Sequence, residues 1–127
     1  VILPRLETDI MDIFMAIAEQ KLNKVDVKWK NEASLCVILA SEGYPGKYKK
    51  GIPIYGLEMF KGLKDITVFH AGTKFDDDGK IVTNGGRVLG ITALGKDIKE
   101  ARQKAYSAVE FIKFEGMQYR KDIGLNL

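Results

Sequence analysis

The chain has 127 residues, of which 46% are hydrophobic and 29% charged, and it carries a formal net charge of +3. That is the composition of a single globular domain long enough to bury a core, and its mild basicity falls short of a dedicated nucleic-acid binder. A lone cysteine, Cys36, excludes an internal disulfide and a metal–thiolate cluster. No apolar run approaches the roughly 20 residues of a membrane span, and no signal-peptide pattern opens the chain, so a soluble cytoplasmic setting is the expectation.

The chain begins in apolar sequence, Val1-Ile2-Leu3, without a methionine. This reads as the tail of a strand stopped by Pro4, in a fragment of something longer. Thr8 is expected to cap a helix over 8–22, with Asp9 and Asp12 complementing its dipole. Ile10, Ile13, Phe14, Ile17 and Leu22 recur on one helical face and call for a partner surface. Val25, Val27 and Trp29 alternate with charged residues, as in a half-buried strand or an extended arm. Residues 33–40 (ASLCVILA) form a nearly continuous apolar run, the mark of a central strand with Cys36 as a small core residue.

Residues 41–51 (SEGYPGKYKKG) read as a loop with Pro45-Gly46 at its turn. Its lysines and tyrosines are expected to be solvated rather than a phosphate site. Pro53 argues against a central strand, and residues 57–60 suggest one helical turn. The stretch 66–95 organises the chain as three strands, 66–75, 80–83 and 87–94, joined by turns at Asp76–Gly79 and Asn84–Gly86. Asp97-Ile98-Lys99-Glu100 has the form of a capping box. Ile98, Ala101, Ala105, Ala108, Val109 and Ile112 would be the buried stripe of a helix ending near 111–113, its alanines permitting close approach to a sheet. Residues 117–119 suggest a last short strand. The sum is an α+β fold: a mostly antiparallel sheet, one helix packed on it, and an N-terminal helix before it.

Little complete chemistry stands out. His70, the sole histidine, lacks companions for a metal site, and a hydrogen-bonded structural role is favoured. Asp76-Asp77-Asp78-Gly79 lacks the spacing of a calcium loop and reads as a turn. Asn84-Gly85-Gly86-Arg87 is stronger: glycines expose backbone N–H groups, and arginine offers a planar fork for a phosphate or carboxylate.

Five segments occur in order: LPRL (3–6), ASEGYPGKYKKG (40–51), VFHAGT (68–73), TNGGRVLGITALG (83–95) and RKDIG (120–124). Together they closely resemble the C-terminal part of the glycinamide ribonucleotide synthetase family (phosphoribosylamine–glycine ligases), of the ATP-grasp superfamily. The resemblance implies a ligase of de novo purine synthesis. It joins glycine to 5-phosphoribosylamine through a glycyl phosphate, converting ATP to ADP and phosphate. It implies that residues 1–24 end the ATP-grasp lobe and that 25–127 are the C-terminal domain. ATP and Mg2+ (or Mn2+) would be held mostly outside this chain, by the missing lobes, and the fragment alone would be inactive. No catalytic or metal-binding residue is expected here, and neither nucleic acid nor membrane is an expected partner. The matching motifs suggest Arg87 as ligand of the phosphoribosyl phosphate and Asn84, Gly85 and Gly86 as its backbone cradle. His70, Gly72 and Thr73 would shape the adjacent pocket, and Arg5 would face the same cleft. The alternatives are a non-catalytic polyanion-binding module using the 44–51 loop, and the equivalent domain of another ATP-grasp ligase or carboxylase.

Overall fold

The computed structural model describes residues 1–125; positions 126 and 127 of the expected domain lie outside them. The chain forms α1 (Ile10–Ala18), β1 (Ala33–Ala40), β2 (Ile66–His70), β3 (Thr73–Phe75), β4 (Ile81–Thr83), β5 (Arg87–Gly95) and α2 (Ile98–Val109), with 3-10 turns at Leu3–Arg5, Leu22–Lys24 and Leu57–Phe60. β5 is the centre of a three-stranded antiparallel sheet, β1-β5-β2, and β3 and β4 form a separate antiparallel ribbon. The α+β expectation holds, with its antiparallel sheet and packed helix.

Register explains the core. Leu35, Val37 and Leu39 pair with Ala93, Ile91 and Leu89, so all six emerge on one face. That face meets Ala101, Ala105, Ala108 and Val109 of α2, and all of these residues are buried. The helix comes close because its stripe is alanine and because Gly95 has no side chain: a Cβ there would sit 2.4 Å from the Ala101 nitrogen. Asp97 caps α2 as expected, its carboxylate accepting from the Glu100 N–H at 2.8 Å. Glu100 reaches back to the Lys96 N–H at 2.9 Å instead of the cap's own. α2 ends at Val109, and tighter i→i−3 bonds from Phe111 and Ile112 carry Ile112 into the core beyond it.

Several expectations are corrected. Thr8 is not the cap of α1: Asp9 is, accepting from the Met11 N–H at 2.8 Å. The Thr8 hydroxyl accepts from the Lys28 N–H at 2.7 Å and so ties down the 25–30 arm, which forms one bridge, Leu6 to Trp29, and no strand. α1 stops at Ala18 because Gln20 adopts a left-handed φ of 56°. The Gln20 and Lys21 N–H groups then bond the Ile17 and Ala16 carbonyls in a Schellman closure. Its apolar face finds no cover among the described residues; Met11, Phe14, Met15 and Ile17 are each more than half exposed. The opening residues form a 3-10 turn, and residues 117–119 make only a bridge from Gln118 to Ala40. Cys36 is half-buried on the face away from α2.

The expected long strand 66–75 breaks at Ala71-Gly72, where the chain changes partner. The Ala71 and Gly72 N–H groups still bond Val88 and Arg87 of β5, but the Gly72 carbonyl accepts from Asn84 and leads into β3–β4. Asn84–Gly86 therefore joins two sheets and is not a hairpin turn. The free edge of β4 is taken up by 51–54, through Gly51 and Ile52 bonds to Thr83 and an Ile54 bond to Ile81. Asp76–Gly79 is the turn expected. Its Asp76 carboxylate accepts from the Asp78 and Lys80 N–H groups, and Gly79 supplies a φ of 77°.

Candidate functional site

The glycine-rich segments meet at the corner where the two sheets join. Gly72 and Gly85 pack backbone to backbone, so that a Cβ on Gly72 would lie 2.6 Å from the Gly85 Cα and 2.7 Å from the Arg87 carbonyl. Gly86 lies beneath the Tyr44 ring, which a Cβ would meet at 2.0 Å. Ser41 locks the 41–51 loop onto this corner, its N–H donating to the Gly86 carbonyl at 2.8 Å and its hydroxyl to the Gly85 carbonyl at 2.9 Å. The glycines thus serve close approach within the protein, and the exposed side chain that emerges from the corner is Arg87.

Arg87 opens on a groove of about 440 Å³ with Ile38, Ala40, Tyr44, Gln118, Tyr119 and Arg120. Among the described residues its guanidinium has neither an ion pair nor a side-chain hydrogen bond. Ile38 also lines a second hollow, with Cys36, Phe69, Gly90, Thr92 and the 1–4 segment. The two hollows therefore share the sheet face opposite α2. This face is apolar along its floor and basic at its Arg87 end.

The remaining expected site residues are dispersed. His70 pairs with Leu89, so it leaves β2 on the side opposite Phe69 and faces away from the groove. Its Nδ1 lies 3.1 Å from the Thr73 hydroxyl, at an exposed edge. Asn84 is exposed, and its N–H holds Gly72. Arg5 sits with Ser34 in a separate hollow with Val1, Ile2 and Trp29, donating to the Lys30 carbonyl at 3.3 Å. Ser34 is the second residue of β1 and Ala40 its last, which puts about 20 Å between Arg5's surroundings and those of Arg87.

Tyr44, Gln118 and Arg120 were not singled out from sequence. Gln118 clamps the loop, its side-chain amide donating to the Ser41 and Tyr44 carbonyls at 3.0 and 3.2 Å. The sequence signals are the ASEGYPGKYKKG and RKDIG segments, which hold Tyr44 and Arg120 and whose chemistry becomes visible once the fold brings them together beside β1. The lysine-rich loop is less basic than it reads: Lys47 and Lys49 share their hollow with Glu42 and Glu115. Among the described residues, no group of three His, Cys, Asp or Glu side chains gathers as a metal site.

Comparison with known proteins fits this architecture. The family described as phosphoribosylglycinamide synthetase, C domain, matches residues 34–126. A phosphoribosylamine–glycine ligase of Caldanaerobacter subterraneus subsp. tengcongensis is 55% identical over 122 residues, covering 96% of this chain and 28% of that protein. A bifunctional purine biosynthetic protein of Dictyostelium discoideum is 48% identical over 124 residues, covering 98% of this chain and 15% of that protein. The crystal structure of phosphoribosylamine–glycine ligase from Thermotoga maritima superposes with a TM-score of 0.68 at 38% identity, covering 87% of this chain and 27% of the other. The chain thus spans between about an eighth and two fifths of the length of the curated relatives it matches. With the match running from the second residue of β1 through the whole core, it belongs to the phosphoribosylglycinamide synthetase C-domain family.

Proposed function

We propose that this chain is the C-terminal part of a phosphoribosylamine–glycine ligase and that its sheet face opposite α2 forms one wall of the substrate cleft. The whole enzyme would join glycine to 5-phosphoribosylamine with conversion of ATP to ADP and phosphate. The observation that carries the reading is Arg87, which stands at the end of an apolar groove and has no ion pair or side-chain hydrogen bond among the described residues.

The chain's own work in such a reaction is positioning. Arg87 would receive the phosphate of the sugar phosphate as a planar, permanently charged fork. Tyr44, held over Gly86, would wall the sugar, and the glycine corner would fix the guanidinium relative to the floor of the groove. ATP with its Mg2+ would supply the activated carboxyl of glycine. The described residues offer no donor set for that metal, so its ligands are assigned to the remainder of the protein. His70, facing away, is given no contact with substrate.

We also propose that residues 1–24 belong with the remainder of the ligase and 25–127 with the C-terminal domain. In the first segment only Ala16 is buried, whereas every member of the core cluster lies at Leu35 or beyond. Among the described residues no helix is long and apolar enough to cross a membrane, and the setting assigned with this reading is the cytoplasm.

The test is Arg87→Ala in the full-length ligase. Loss of a charge-assisted pair should raise the KM for phosphoribosylamine by about 10- to 100-fold, with the KM for ATP unchanged. An unchanged KM for phosphoribosylamine would refute the assignment.

A further inference from the structure

Arg87 is not the only guanidinium in its groove. Arg120 lines the same hollow, together with Tyr119 and Tyr44. It sits in a segment with no regular secondary structure, yet that segment is fastened at both ends. On one side Gln118 pairs its backbone with Ala40 in both directions, at 2.8 and 2.9 Å. On the other, α2 reaches over. The Tyr106 hydroxyl donates to the Arg120 carbonyl at 2.7 Å and accepts from the Ile123 N–H at 3.1 Å. Arg102, stacked on the Tyr106 ring, donates to the Lys121 and Ile123 carbonyls at 2.8 and 3.0 Å. Side-chain bonds to four backbone groups here do for 118–123 what a sheet ladder does for a strand, and they fix where Arg120 begins.

The Arg120 side chain itself is held by one local partner, the Asp122 carboxylate, through both Nε and Nη2. That hydrogen bond keeps the Asp122 carboxyl below its ordinary range, so it is ionised at neutral pH. Both side chains are more than half exposed, and exposed pairs of this kind contribute little to stability and part readily.

We infer that Arg120 is a second phosphate ligand of the groove, parked on Asp122 when the groove is empty and turned with Arg87 onto a phosphomonoester when it is filled. The inference rests on the proposed sugar-phosphate reading of this groove and adds the residue that sets its charge. A phosphomonoester carries about −1.5 to −2 charges at neutral pH. One guanidinium neutralises half of that; two match it, with two planar forks for three oxygens. A carboxylate, with one charge, would leave one arginine on Asp122. The ligand class is therefore a phosphorylated sugar in preference to an amino acid.

Ribose 5-phosphate titrated into the isotope-labelled full-length ligase tests this, read by the NMR signals of the arginine side-chain N–H groups and the backbone amides. Binding should shift both Arg87 and Arg120, and unphosphorylated ribose should shift neither. Arg120→Gln should weaken binding by about tenfold. The bonds from Tyr106 and Arg102 go to backbone groups and none uses the Arg120 side chain, so this variant keeps its fold, which its amide spectrum checks. Asp122→Asn should tighten binding a few-fold by removing the competing carboxylate. If Arg120→Gln binds as well as the unmodified chain while Arg87→Gln does not, the inference fails and the groove reading stands. If the unmodified chain does not bind ribose 5-phosphate, the groove reading fails and takes the inference with it.

Discussion

Gly72→Ala isolates the glycine corner. Gly72 has no positive φ, so alanine there meets no backbone conformational penalty. Its cost is steric: the new Cβ falls 2.6, 2.7 and 2.8 Å from the Gly85 Cα, the Arg87 carbonyl oxygen and the Gly85 nitrogen. None of these atoms belongs to a flexible side chain. The corner must open by about 0.8 Å to regain ordinary 3.4 Å contact. That strains the bonds from the Gly72 N–H to Arg87 and from the Asn84 N–H to Gly72, now 2.9 and 2.7 Å long. Overpacking costs about 1–3 kcal/mol, and each weakened hydrogen bond adds about 1 kcal/mol. The expected loss is about 3–5 kcal/mol, or more than about 10 °C in Tm for a domain of this size. Gly62→Ala is the control: φ is 83° and nothing lies within 4 Å, so only the conformational term of about 1 kcal/mol applies. Urea denaturation of both variants, followed by circular dichroism, measures the difference. If Gly72→Ala loses no more stability than Gly62→Ala, the close backbone approach is not what holds the corner together.

Two further predictions concern α2 and α1. The Glu100 carboxyl is held below its ordinary value chiefly by the Lys96 N–H and then by Lys104. Its stabilisation is therefore present at neutral pH and is lost as pH falls through the depressed native-state value. Denaturation midpoints of Glu100→Gln should lie below those of the unmodified chain at pH 7 and converge with them in acid, once the pH has fallen through the depressed Glu100 value; a constant gap would refute this. On α1, Phe14 is 54% exposed and lies outside the core cluster. Phe14→Gln should change the stability of this chain by less than about 0.5 kcal/mol; a larger loss in thermal unfolding would show that the face is covered.

What could be read from the sequence follows from how local each cause is. The bounds of β1 were legible because a continuous β-branched run favours extended, buried backbone, but its place was not: the expected central strand lies at the edge of the sheet beside β5, and its Ile38 is 44% exposed on the face away from α2. α2 was visible in its alanine stripe and in Asp97. The end of α1 was not, because its closure uses Gln20 in a conformation normally marked by glycine. The break at Gly72 was missed for a related reason: the apolar pattern runs on from β2 into β3, and only the change of pairing partner divides them. At the site, Arg87 and its glycines are neighbours in the chain and could be seen together. Gln118 and Arg120 could not, since they reach the groove by a bridge to Ala40 across nearly eighty residues. His70 shows the converse: it lies close to the glycines in sequence, and a single step of strand alternation turns it to the other side.

The contrast between the two faces of the sheet ties these points together. Against α2, Leu35, Val37 and Leu39 of β1 and Leu89, Ile91 and Ala93 of β5 are nearly fully buried. On the other face Ile38 of β1 and Phe69 of β2 are each more than 40% exposed. Gly90, between them on β5, keeps that floor low; a Cβ there would meet Cys36 Sγ at 3.3 Å and Ile38 Cδ1 at 3.5 Å, a tight fit without a severe clash. A core position would tolerate such filling and gain by it. A groove floor would not, because each added methyl raises the surface on which a ligand must lie. Apolar floor, absent side chain and a guanidinium without an ion pair among the described residues are therefore one arrangement: the helix side is finished for stability, and the opposite side is left open, which is the shape the proposed substrate wall calls for.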